Sequence, residues 1–375
     1  MRVLHLEAGR NLYGGARQVG YLVRALAARG IDNLLVLDQG HALGDLGADG
    51  AAKVIEWPLA AGDLDLPLSA RLRRLIRAER PDVVHVHSRR GADTFGGRAA
   101  RAAGVPAILT RRVQSAEPGV WLRFKCRPYG AIVAISRAVH DELAGLGIAA
   151  GRLRLIPSAV DTALFRPEPA ARVRLTARYG LPETAFIAGA AAQLIPRKNL
   201  DRLLHLLHLL HLVPDTGLLD FRLLVFGQGP ERARLGREAA RLGIERRVVF
   251  CGFEPDWPEL VPGLDLLLHP ARREGLGAVV LEAMSAGVAV VAAAAGGIVD
   301  AIDDGVDGCL VGADTAEDWR NAVLGLAGDP DRRLELAAAA RRKVEARFTI
   351  ERMTDAYVAL YREVSDRAAE RRRSG

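Results

Sequence analysis

Glu274 and Glu282 stand eight positions apart in the run EGLGAVVLE, and the residues between and beyond them, as far as VAVVA, are apolar or small. A carboxylate in such surroundings loses much of its hydration, a heavy cost unless donors replace the water. The pair could bind a hydroxyl-rich ligand. Alternatively, Glu274 supports a helix N-terminus and Glu282 faces solvent, and these nine residues alone leave both readings open. Arg197 and Lys198, in AAQLIPRKNLDRLL, fall between a strand-like run and a helix-like one, where two cations could meet a diphosphate or simply face water. Gly14 and Gly15 in NLYGGARQ follow the first apolar run and precede a helix, offering bare backbone N–H groups of the kind that hold phosphate. Gly227 and Gly229 repeat that placement in FGQGPER. Arg232 stands where a dinucleotide GxGxxG would need its third glycine, so a nicotinamide site is poorly supported.

These residues need rigid elements to bring them together. Short apolar runs of strand length alternate with longer amphipathic stretches along the whole chain, the pattern of parallel sheets covered by helices. The first half reads as strands at 3–7, 33–38, 83–87, 107–110, 132–136 and 153–157. Runs at 186–193, 221–227, 247–252, 265–270 and 288–293 continue the rhythm in the second half. At 375 residues the chain is long enough for two domains. The expected division is an N-terminal Rossmann-like domain at 1–165, a C-terminal one at 166–347 with its start at RPEP, and a final amphipathic helix at 348–375 laid as a strap across both. Two doubly wound sheets would bind ligand at the carboxyl ends of their strands, facing across a cleft.

Composition narrows the setting. Cys126, Cys251 and Cys309 are scattered, without the spacing of a disulfide framework or a zinc site. No apolar run approaches the ~18 residues of a membrane span, and MRVLHLEAG lacks a signal-peptide core, so a cytoplasmic protein is expected. The net charge of +7 is unevenly spread: residues 1–170 hold 24 Lys and Arg against 16 Asp and Glu, and the rest 28 against 29. Basic clusters such as RLRRLIRAER, Arg89 with Arg90, and RFKCR would suit an anionic acceptor or the cytoplasmic face of an inner membrane. Basic runs interleaved with aromatics are missing, which argues against nucleic acid.

Other candidates carry simpler readings. Asp63 and Asp65 form a DxD that could hold a metal, but it lies in a Pro- and Gly-bounded loop far from the motifs above. His205, His208 and His211 recur every third residue, a spacing that drifts ~60° per step around a helix and suits one ion poorly. No metal is expected. His85 and His87 share one face at the end of a strand, where His87 is a candidate for substrate contact, and Ser136 ends another strand as either a contact or a helix N-cap.

Taken in order, the GlyGly loop, IPSAVDTALFRP, QLIPRKNLDRLL, LLVFGQGPERARL, VVFCGFEPDWPEL, EGLGAVVLEAMSAGVAVVA and GGIVDAIDDGVDGCLV resemble glycosyltransferase family 4, retaining enzymes of the GT-B fold, over nearly the whole chain. The resemblance implies that Glu274 approaches hydroxyls of a donor sugar, with Gly275, Leu276 and Gly277 closing around sugar and diphosphate. It implies that Glu282 accepts from the nucleotide ribose, that Lys198 neutralises the departing diphosphate, and that Gly14 and Gly15 add donors from the other domain. Gln193, Arg197, Gly227 and Phe253 complete the implied donor set. Two positions depart from the family pattern. Gln193 stands where an arginine usually partners the lysine, so either Arg197 supplies that charge or the diphosphate is held less strongly. Arg112 aligns with a histidine beside the donor sugar, and an arginine cannot act as a base, though it can bind phosphate or acceptor.

The implied reaction is transfer of a hexose, with retention, from a nucleotide diphosphate such as UDP onto a glycan or lipid-linked acceptor, as in lipopolysaccharide or other envelope glycan synthesis. Glu274, Lys198 and Arg112 would carry the chemistry, and His87, Arg112 and Ser136 the acceptor. The nucleotide-sugar is a co-substrate and no cofactor is implied. A nucleotide-sugar epimerase or phosphorylase, a catalytically silent nucleotide-sugar scaffold and, more remotely, a dehydrogenase are the alternatives.

Overall fold

The computed structural model describes residues 1–9, 14–59, 62–89, 91–114, 117–211, 220–312 and 316–374. The chain divides into two units, one made of Met1–Ala159 with Ile350–Gly375 and the other of Val160–Thr349. The first division thus falls after Ala159, ahead of the RPEP segment expected to mark it.

The N-terminal unit carries seven strands: β1 (Arg2–Glu7), β2 (Asp32–Asp38), β3 (Lys53–Trp57), β4 (Val83–Val86), β5 (Ala107–Arg111), β6 (Ala131–Ala134) and β7 (Leu153–Leu155). They lie in the order β3-β2-β1-β4-β5-β6-β7, and every adjacent pair is parallel. The second unit holds β8 (Phe186–Ala191), β9 (Phe221–Phe226), β10 (Val248–Gly252), β11 (Leu266–His269), β12 (Ala289–Ala293) and β13 (Cys309–Val311), parallel in the order β10-β9-β8-β11-β12-β13. Each is a doubly wound α/β sheet, as the alternation of runs predicts. Both faces of the central strands are buried: Leu4 and Leu6 pack into one cluster, and Val3 into another on the opposite face. That two-sided burial is why these strands read as continuous apolar runs.

β3 and β13 escape the sequence reading. Both are edge strands with a single neighbour, and β3 has no fully buried residue and carries Lys53 and Glu56 exposed, so KVIEW has no apolar run to detect.

The helix Ile350–Ser374 belongs to the N-terminal unit. Met353, Tyr357, Leu360 and Tyr361 bury against Val3, Leu22, Val83 and Ile108, and the Tyr361 hydroxyl meets Nδ1 of His85 at 2.7 Å. His85 is fully buried, and its other nitrogen meets the Thr110 hydroxyl at 2.7 Å. Tyr361→Phe would strand Nδ1 without a partner in the core, at a cost of about 1–3 kcal/mol. Urea unfolding should show the loss as a lower midpoint at unchanged slope. An unaltered midpoint would mean that the hydroxyl contributes nothing to docking the helix.

Candidate donor and acceptor sites

In each sheet the strand order reverses between two adjacent but non-consecutive strands, β1 and β4 in one and β8 and β11 in the other. Loops leaving such a pair diverge and open a crevice at the carboxyl edge, the usual ligand position in doubly wound sheets. Most of the candidate residues lie on those loops.

In the second unit, the loop after β8 forms a short 3-10 turn, Pro196–Lys198, and the loop after β11 carries Glu274. Lys198 Nζ is ion-paired to Glu274 Oε2, with both side chains largely buried. His269, the last residue of β11, brings Nε2 to 3.3 Å from the same oxygen, near enough for strong electrostatic coupling. Burial alone would raise the Glu274 carboxyl, but His269 and Lys198 outweigh it and hold the group well below the usual carboxylate range. Burial lowers the His269 imidazole despite the carboxylate beside it. The remaining Glu274 oxygen accepts from the Gly275 N–H at 3.2 Å.

Two glycines permit this loop. Gly277 has φ of 82° and caps the helix Ala278–Ser285, which therefore starts four residues after Glu274 and leaves that carboxylate in the loop ahead of it. A Cβ on Gly296 would stand 2.2 Å from the Glu274 carbonyl oxygen, so only glycine lets the two loops close on each other. Gly227 and Gly229 make similar approaches, their Cβ positions lying 1.9 Å from Ala192 O and 2.4 Å from Leu194 O. Their observed role is to pack the loops after β8 and β9 together.

Glu282 is 4% exposed on the helix and accepts from the Trp257 indole N–H at 2.9 Å. It does not face solvent. Arg197 is exposed and donates from Nη1 to the Arg273 carbonyl at 3.2 Å, alongside the Glu274 loop. Gln193 is half-buried just past β8, Leu276 is buried, and Phe253 stands exposed just past β10. Sequence reasoning missed His269 and Trp257. The signal for His269 was a histidine at a strand's carboxyl end five positions before Glu274, whereas nothing local tied Trp257 to Glu282.

In the N-terminal unit, Gly14 and Gly15 open the helix Gly14–Ala27, while residues 11–13 of the same motif lie outside the described residues. Arg112 passes beside Gly15, with Cδ 3.5 Å from that residue's Cβ position, and its Nε and Nη2 are buried without hydrogen-bond partners. His87, just beyond β4, is 3% exposed. Ser136 caps the helix Arg137–Gly145, accepting from the Val139 N–H at 3.3 Å, and is 1% exposed. That leaves its hydroxyl in a structural position.

The remaining candidates divide among separate partners. Asp63 binds Thr94 and Lys125, whereas Asp65 caps the helix Leu66–Glu79 and meets Arg71 at 2.8 Å. His205 lies 3.1 Å from Glu238 and His208 meets the Leu242 carbonyl at 2.8 Å, while the His211 side chain lies outside the described residues.

The depressed Glu274 pKa makes a pH prediction. Because the folded value lies below the ~4.3 of a free glutamate, its stabilisation is fully present above that value and declines as pH falls from there toward the folded pKa. Glu274→Gln should therefore be less stable at neutral pH and lose less stability than the parent between about pH 4 and pH 2.5. Urea titrations at those values check this, and equal losses in both proteins would refute the pairing.

Comparison with known proteins bears on the same regions. The family model described as "Glycosyltransferase Family 4" matches residues 13–164, and "Glycosyl transferases group 1" matches residues 173–343. The chain is 34% identical over 220 residues to the GDP-mannose-dependent alpha-(1-6)-phosphatidylinositol monomannoside mannosyltransferase of Mycolicibacterium smegmatis, a match that spans 56% of this chain and 56% of that protein. It is 26% identical over 367 residues to the lipopolysaccharide core biosynthesis glycosyltransferase LpsE of Rhizobium meliloti, spanning 96% and 98% of the two chains. Anabaena HepE, solved in complex with UDP-glucose, superposes with a TM-score of 0.84 at 22% identity, covering 97% of this chain and all of that one. Matches across both units and a shared two-sheet GT-B architecture make this chain a member of glycosyltransferase family 4.

Proposed function

We propose that the chain transfers a hexose from a nucleotide diphosphate to a glycan or lipid-linked acceptor, with retention of anomeric configuration. The observation that carries this reading is the Lys198–Glu274–His269 cluster at the carboxyl edge of β8 and β11, beside the backbone of Gly275–Gly277. It supplies a carboxylate fixed in its ionised state for sugar hydroxyls and a cation for phosphate. Charge develops on the leaving diphosphate in the transition state, where preplaced positive groups act most strongly. Lys198 is assigned that role with Arg197 beside it, Glu282 the ribose, and Gly14, Gly15 and Arg112 the phosphate or acceptor contacts from the N-terminal unit. Protein cations meet the diphosphate charge in this scheme, and no metal or other cofactor is assigned.

UDP is the first donor base to test, and the GDP-mannose named for the Mycolicibacterium relative is the second. The LpsE likeness and the positive balance of residues 1–170 support an anionic envelope glycan or lipid-linked acceptor. Val120, Trp121 and Phe124 are exposed on the helix Gly119–Cys126 among Arg98, Arg123 and Arg127, which supports peripheral contact with an anionic inner-membrane surface from the cytoplasmic side. No helix among the described residues is long and apolar enough to cross a membrane.

Calorimetry with UDP, GDP and ADP and their glucose or mannose conjugates tests the donor assignment. One nucleotide-sugar should bind, and Lys198→Ala or Glu282→Ala should weaken it by roughly tenfold or more, about 1.4 kcal/mol. Binding of none, or of NAD in their place, would refute it. Proton NMR of the product then reads the anomeric configuration, and conversion of donor without acceptor would favour an epimerase.

A further inference from the structure

His5, His85 and His87 offer three ring nitrogens within 4.8 Å of one another, all buried at the junction of β1 and β4. The spacing invites a metal, but the hydrogen bonds give a different result. Asn33 directs its amide nitrogen at the carbonyls of Val23, Ile31 and Ala51, at 3.2, 3.1 and 3.1 Å. Three acceptors around that nitrogen fix the amide orientation, so Oδ1 is the atom facing His5 Nε2 at 3.2 Å. An amide oxygen only accepts; His5 must therefore carry its proton on Nε2 and present a lone pair at Nδ1. That lone pair meets Nε2 of His87 at 2.9 Å, so the His87 proton sits on Nε2. What remains is Nδ1 of His87, a bare lone pair that is buried without any partner.

Neutral rings are required for this chain of assignments, and burial supplies them. It pushes His5 down to about 4 and holds His87 well below the usual imidazole value, with His85, His5 and Arg112 adding to the effect. His85 has no nitrogen to spare, since Tyr361 and Thr110 occupy both. Two of the three supposed metal ligands are thus already committed.

The unsatisfied lone pair sits one residue beyond β4, where the backbone N–H of His87 still pairs with Leu6 of β1. It therefore lies at the reversal point of the N-terminal sheet. The neighbouring Arg112 contributes the opposite deficit, two buried N–H donors without acceptors. A buried acceptor and buried donors left unmatched together mark a place for a group that both donates and accepts.

We propose that Nδ1 of His87 receives the hydrogen bond of the acceptor hydroxyl that is to be glycosylated, and that Asn33 and His5 are positioning residues that keep the lone pair on that atom. The proposal rests on the transferase reading above and adds the atom that holds the acceptor. So weak a base orients the incoming hydroxyl without taking its proton; as the new C–O bond forms and the bond to the diphosphate breaks, the O–H turns from Nδ1 to a diphosphate oxygen, which receives the proton.

Full-length protein labelled with 15N in its histidines tests this by long-range 15N–1H correlation. His87 should show a protonated Nε2 and a pyridine-like Nδ1, unchanged between pH 7.5 and pH 5.5, and His5→Phe should mix the two tautomers. With UDP bound, methyl α-D-glucopyranoside, mannopyranoside and galactopyranoside serve as hydroxyl probes, and at least one should move the Nδ1 resonance upfield. His87→Leu should lower kcat/KM for transfer to that probe by roughly tenfold. His87→Asn, which returns an acceptor oxygen near Nδ1, should recover most of it. A protonated Nδ1, or a resonance that no probe moves, overturns the proposal. UDP-glucose hydrolysis by the parent protein, measured without any probe, reports separately on the transferase reading.

Discussion

A carboxylate in a buried loop needs a cation brought to it, and the pairing of Glu274 with Lys198 is the constraint around which the second unit is arranged. The two residues are 76 positions apart and sit on loops from β8 and β11, strands that are adjacent and parallel with Leu266 opposite Ala188. Parallel pairing puts both loops at the same edge of the sheet. The approach is completed by residues without side chains: Gly296 clears the Glu274 carbonyl, and Gly227 and Gly229 let the β9 loop lie on the β8 loop. If the sheet order differed, the carboxylate would be desolvated without its cation and would take up a proton instead.

Much of this is legible in the sequence because the same physics shapes composition. Central strands buried on both faces must be apolar throughout, and nearly every such run in the chain is a strand. Glycines at loop ends and charged residues after apolar runs likewise mark the carboxyl edge. KVIEW is interrupted by charged residues and CLV is only three residues long, so neither reads as such a run. In the Glu274–Glu282 segment the apolar run is a helix only from Ala278, because Gly277 sits at positive φ. The division after Ala159 depends on which elements pack together, and the Tyr and Leu face of the last helix fits the N-terminal core rather than announcing its address.

Side-chain partnerships at long range are the least legible part. His85 and His87 can be placed on one face from period-two spacing, but His5 joins them only through the β1–β4 register, and Asn33 only through β2. Trp257 reaches Glu282 from a short helix that no periodicity connects to it. These contacts depend on strand order, which a single sequence does not state.

The two units handle buried polarity in opposite ways. The second keeps a carboxylate ionised by setting a lysine and an imidazole against it, which suits a ligand rich in hydroxyls and phosphate. The first keeps His5, His85 and His87 neutral by burying them, and the arginine at position 112 strengthens that neutrality for His85 and His87 because a positive neighbour disfavours a second positive charge. The resemblance that aligns Arg112 with a histidine therefore implies a consequence beyond a lost imidazole. Arg112 is a fixed cation that cannot act as a base, and it makes His85 and His87 less basic. In the proposed reaction the departing phosphate is assigned the acceptor's proton, and Lys198 and Arg197 are assigned its charge.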